Sequence, residues 1–233
     1  MQNASGQARL KTSLKVSLAT FLLRPHNLLF SKPFALISLL YGGTYLTANT
    51  LDTLTATVQN RPASLVTSGT AKFAASSTAN IGLCLFKDQA FAKLFGPGGT
   101  ARPVPLPSYA LFTIRDCLTI FASFNLPPLL GPVISRNMSE ELQKSLSGQT
   151  IAQFVAPAAI QLISTPMHLL GLDLYNRTAE VSWGDRWAIV KKNWGVSAVA
   201  RMCRIVPAFG VGGVVNAKVR KTLIEKLERS RRM

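Results

Sequence analysis

Apolar residues along the chain gather into long runs, separated by short breaks rich in proline, glycine or charge. Five runs approach or exceed the roughly 20 residues that a helix needs to cross a bilayer core. They cover residues 33–54, 66–86, 109–134, 151–175 and 196–215. A sixth crossing is available if residues 14–30 also span. The pattern predicts an all-α fold, a multi-spanning transmembrane helical bundle of five or six spans.

None of the runs is a bare Leu/Ile stretch. Gly42 and Gly43 fall in the first, Ala74, Ala75, Ser76 and Ala79 in the second, and Gly210, Gly212 and Gly213 in the fifth. Lipid tails are as apolar as leucine, so helices in a bilayer associate through small residues and interhelical hydrogen bonds. These positions are therefore expected to lie at packed faces.

The breaks read as connections. Residues 59–64 contain Asn60, Arg61 and Pro62. The run Gly96-Pro97-Gly98-Gly99-Thr100 is followed by Pro103, Pro105 and Pro107. Ser139, followed by Glu140, Glu141 and Gln143, has the form of a helix start, so a short surface helix is expected within residues 136–147. Trp183 and Trp187 share one helical face, and Trp194 follows closely. Tryptophan gathers at bilayer interfaces, so residues 177–192 predict an amphipathic helix on the membrane surface before the last span. The chain thus divides into a basic amphipathic N-terminal segment (1–32), the bundle (33–217) and a basic helical tail (218–233).

Composition agrees with a membrane setting. Only 15% of residues are charged and 48% are apolar, whereas a soluble domain carries about 25% charged residues. Mean hydropathy is +0.23. Lys and Arg number 26 against 10 acids, a net charge of +16. Such a field attracts nucleic acid or an anionic membrane face. Its location favours the membrane. Residues 1–32 hold Arg9, Lys11, Lys15, Arg24 and Lys32 with no acid, and residues 218–233 are similarly basic. Apolar centres with basic flanks are the membrane pattern. The expected partners are therefore the lipid bilayer, anionic lipids included, and other membrane proteins, with no nucleic acid. The basic, acid-free start resembles organellar targeting segments, which suggests a multi-pass protein of a mitochondrial membrane.

No enzymatic motif is present. The Gly96–Gly99 run lacks the Gly-Lys-Ser/Thr ending of a phosphate loop, and no Gly-x-Ser-x-Gly elbow occurs. His26 and His168 are far apart, as are Cys84, Cys117 and Cys203. The sequence therefore implies no catalytic residue, no metal site and no cofactor.

Ionisable groups within spans are costly, which makes each a functional candidate. Arg115 and Asp116 fall inside the third run. Pro166, His168, Asp173 and Arg177 lie toward the end of the fourth, with Asp173 and Arg177 one helical turn apart and able to pair.

Residues 150–215 resemble one repeat of the mitochondrial carrier superfamily: a span kinked at Pro166, a charged stretch, an amphipathic helix, Gly195, and an Arg-x-x-Pro opening at Arg204 and Pro207. Lys32-Pro33 and the Phe112–Asp116 region are similar to parts of other repeats. The carrier motif that follows the proline with an acid and a base is missing, because His168 and Gly171 stand there instead. The resemblance implies a degenerate carrier, with a structural, interaction or atypical transport role. Active carriage of an anionic metabolite is one alternative and a soluble nucleic-acid-binding protein another. The chain also resembles a fungal mitochondrial family, a likeness that carries no activity.

Overall fold

A computed structural model describes residues 16, 18–19, 21–95, 104–177 and 181–231. Among these the regular structure is helical, with no strand. The helices are α1 (Pro25–Leu29), α2 (Lys32–Val58), α3 (Thr70–Phe95), α4 (Leu106–Ile120), α5 (Leu126–Arg136), α6 (Glu140–Ser145), α7 (Gly148–Asn176), α8 (Trp183–Ile205) and α9 (Gly212–Arg231). Two π-helical segments join them, Phe121–Asn125 between α4 and α5, and Val206–Val211 between α8 and α9.

Local chemistry explains the boundaries. Proline occupies the first turn of α1 and of α4, where the missing N–H costs nothing. The Ser147 hydroxyl accepts from the Thr150 N–H at 3.1 Å to open α7. Ser182 does the same for Asp185 at 3.2 Å to open α8. Each satisfies a donor that the first turn leaves orphaned. Beyond α2, Asn60 takes a φ of 51°, and the Arg61 N–H reaches back to the Ala56 carbonyl at 2.8 Å. A left-handed residue closing such a bond is a Schellman-type stop.

The described residues fall into two compact units, one within Met1–Thr44 and Ala79–Pro103 and the other within Tyr45–Thr78 and Val104–Met233. In the first, the Thr44 hydroxyl donates to the Leu40 carbonyl at 2.8 Å, and Asn80 donates to that hydroxyl at 3.2 Å. A side chain at Gly43 would collide with Leu83, so the expected close approach exists there. Gly42 has open space instead.

The second unit holds the helices of the last three apolar runs. Tyr45, Phe124 and Phe209 meet edge-on or tilted, with ring centroids 5.1–6.0 Å apart. Small residues fill much of the rest of the interior, including Ala122, Ala152, Ala156 and Ala198. Outside, Val133, Val155, Ile163 and Val199 are exposed. Apolar outer faces over a small, partly polar interior suit a surface that meets lipid.

Three described helices are long and apolar enough to cross a membrane: Leu106–Arg136, Gly148–Tyr175 and Trp183–Ser230. Of the five or six expected spans, these three meet that measure of length and composition. Thr44, Thr47, Asn49, Thr50 and Asp52 dilute α2, and Lys72, Ser76, Ser77 and Asn80 dilute α3. Residues 14, 15, 17 and 20 of the optional sixth span lie outside the described residues, as does the Gly96–Thr100 break.

The last third also corrects an expectation. The tryptophan segment is no separate surface helix. It opens α8, which continues through Gly195 and on through the π segment into α9. The basic end continues that same helix, and its Arg220 is buried. Arg220 donates to the Ala63, Ser64 and Leu65 carbonyls and to the Thr53 hydroxyl.

The π segments have identifiable causes. Pro127 and Pro128 follow the first, and Pro207 sits within the second. Proline cannot donate to the carbonyl one turn back, and π-bulges collect where the ladder is interrupted. Gln153 of α7 serves both segments, donating to the Ser123 carbonyl at 2.9 Å and to the Phe209 carbonyl at 2.8 Å. The Tyr45 hydroxyl donates to the Ala208 carbonyl at 2.9 Å.

Candidate functional site

One face of α7 carries Gln161, Ser164, Thr165 and His168. Their spacing of three and four residues stacks them along the helix. The first three are buried and His168 is half-buried. Against this stripe stand Arg115 and Asp116 from α4 and Arg201 from α8.

Arg115 is held locally. Its guanidinium contacts the Asp116 carboxylate at 2.7 and 2.9 Å and the His168 Nδ1 at 2.8 Å. It also stacks over Phe112, 5.2 Å from the ring centroid. Phe112 leans on Gly171, where any side chain would strike its ring. A glycine therefore lets α4 approach α7 at this level.

Arg201 is placed differently. It is 9% exposed, and its Nε donates to the Gln161 Oε1 at 3.1 Å. One terminal nitrogen donates to the Ser164 hydroxyl at 3.2 Å. Gln161 is itself fixed, because its amide nitrogen donates to the Pro157 carbonyl at 3.0 Å. No carboxylate among the described residues pairs with Arg201. Arg115, Arg201 and Arg204 all lie within electrostatic reach of His168.

The sequence-derived candidates separate into groups. Arg115, Asp116 and His168 meet at this cluster. Arg204 belongs to its electrostatic neighbourhood but is exposed. Asp173 and Arg177 form the anticipated pair at 3.5 Å, but the buried partner of Asp173 is Arg186. Pro166 lies inside the continuous α7 rather than at a span end, and Pro207 is exposed within the second π segment.

Gln161, Ser164, Thr165 and Arg201 were not anticipated. The 161/164/165/168 spacing was the available signal for the first three. A second ionic group was also missed. The Lys72 ammonium meets the Asp52 carboxylate at 2.9 Å with both side chains buried, and Asp52 accepts from the Thr67 N–H and hydroxyl. Among the described residues no set of His, Cys, Asp or Glu could hold a metal ion.

A family model described as "probable citrulline exporter" matches residues 1–224. The chain belongs to that family. No curated protein and no solved structure matches it. Membership overturns the resemblance to the mitochondrial carrier superfamily and to a fungal mitochondrial family, since this exporter family is a different one. The continuous helix through Gly195 and the internal position of Pro166 remove the helix breaks on which the carrier likeness was drawn. An exporter is a transporter rather than an enzyme, and membership supports a transport role at that coarse level. With the long apolar helices it supports a multi-pass membrane protein.

Proposed function

We propose that the chain exports a small amino acid bearing a ureido group, of which citrulline is the type, and that the solute passes the Arg115–Asp116–His168–Arg201 cluster. The observation that carries this reading is the family match over residues 1–224. The cluster supports it physically. Ionisable groups inside membrane helices are expensive, and they mark solute or ion pathways. Here charged groups stand beside neutral acceptors on three helices, Gln161 and Ser164 among them. An amino acid offers complementary chemistry, because its charged end needs ionic partners and its ureido group needs hydrogen bonds.

The membrane we assign is mitochondrial, on the basic and acid-free character of residues 1–32. The basic end of the chain suits anionic lipid headgroups. Purified protein in liposomes preloaded with labelled citrulline is expected to release it faster than protein-free vesicles. Release at the protein-free rate would sink the transport reading. Carbonate extraction of mitochondria carrying a tagged copy, with protease added before and after outer-membrane rupture, tests the location. Recovery of the tag outside the mitochondrial fraction would refute it.

A further inference from the structure

We infer that Arg201 is the binding site for the carboxylate of the exported solute. The inference rests on the transport reading and adds what the site recognises.

The cluster contains several cations of unequal availability. Arg115 is engaged with Asp116 and His168. Arg204 is exposed, so it is not enclosed with the others. Arg201 is buried between apolar helices and is held only by neutral acceptors. A buried charge is normally paired with an opposite one, because its desolvation is otherwise uncompensated. Three guanidiniums and a single carboxylate, Asp116, leave the neighbourhood short of negative charge.

The hydrogen bonds also leave one edge of Arg201 open. A guanidinium carries N–H donors on all three nitrogens. The Nε donor goes to Gln161, and one terminal nitrogen gives a hydrogen to Ser164. The other terminal nitrogen has no acceptor among the described residues. The end-on edge formed by the two terminal nitrogens is thus free for a carboxylate, which binds a guanidinium in a two-bond fork.

Gln161 and Ser164 act as positioning residues. The Gln161 amide nitrogen is tied to Pro157, which directs its oxygen at Nε. The Ser164 hydroxyl donates to that oxygen at 3.3 Å, leaving its lone pairs for Arg201. These partners fix the guanidinium without neutralising it. An Asp or Glu in their place would occupy the fork permanently. Neutral acceptors keep it empty for an anion that must bind and then leave.

The test uses the full chain in vesicles and two labelled solutes, citrulline and its decarboxylated amine. Wild-type protein is expected to prefer citrulline by at least about tenfold, the worth of a hydrogen bond to a charged group. Arg201→Gln should raise KM for citrulline by a similar factor and equalise the two solutes. Arg201→Lys keeps the charge but loses the fork, so it should retain a partial preference. A merely structural role would lower the rates of both solutes together and leave the preference intact. The inference is overturned if both variants keep the wild-type preference, or if the wild type moves the two solutes equally well. It is also overturned if inorganic phosphate, but not simple carboxylates, competes with citrulline. Failure of the wild type to move either solute defeats the transport reading, and this inference with it.

Discussion

The Asp52–Lys72 pair offers a direct measure of what the polar interior contributes to stability. The charged atoms are 2.9 Å apart, and each side chain is 3% exposed. With an effective dielectric near 20, the attraction is about 6 kcal/mol, set against several kcal/mol of desolvation for each ion. Lys72→Met removes the ammonium together with its bond to the Thr67 carbonyl. Asp52 is left buried, with only the Thr67 N–H and hydroxyl as donors. The expected loss is about 3–5 kcal/mol, the range for breaking a buried pair from one side. Purified protein in mixed micelles, unfolded with a denaturing detergent and followed by circular dichroism, provides the assay. The Asp52→Asn/Lys72→Met double variant should recover part of that loss, because the carboxylate goes with the ammonium, while the buried Arg220 loses the attraction of Asp52. The amide oxygen introduced at this position would still accept from Thr67. If the two single losses simply add in the double variant, the side chains are not coupled and the reasoning fails.

Three further outcomes can be checked in the same assay. Gly148→Ala should cost about 1–3 kcal/mol through overpacking, since a Cβ there would strike the Gly131 carbonyl oxygen and the Ser135 backbone nitrogen; wild-type stability would contradict that packing. Gln153→Leu removes the donor shared by both π segments and should cost about 1–3 kcal/mol, chiefly for the Ser123 carbonyl that Pro127 cannot serve; wild-type stability would contradict that role. Asn49 and Asn216 exchange amide hydrogen bonds at 2.8 and 3.0 Å, so a double-mutant cycle with leucine at both positions should give a coupling of about 0.5–3 kcal/mol; strict additivity would deny the pairing.

The site was partly readable in the sequence. Arg115, Asp116 and His168 stood out because charge is rare within apolar runs, and the structure brings them together. Arg201 lies inside the fifth apolar run and carried the same signal of charge within an apolar stretch, but it was not singled out. Asp52 and Lys72 were passed over because single charges in Thr- and Ser-rich runs give no hint of a partner 20 residues away. The carrier likeness misled for a related reason. A proline, a glycine and a tryptophan pair read locally as a kink, a break and a surface helix. Within long helices, packing of neighbouring side chains overrides such signals.

What the sequence alone determined was the helical class, the apolar runs and the places where charge interrupts them. Those features follow from hydropathy and local propensity, which act over a few residues. The tertiary structure decided which runs join into single helices and that Gln153 reaches the Ser123 and Phe209 carbonyls. It also decided which cations find a carboxylate. Hydrogen bonds and ion pairs depend on distances of about 3 Å between residues far apart in the chain. Such distances are set only when the helices pack, as where Gly171 admits the Phe112 ring and brings Arg115 to His168.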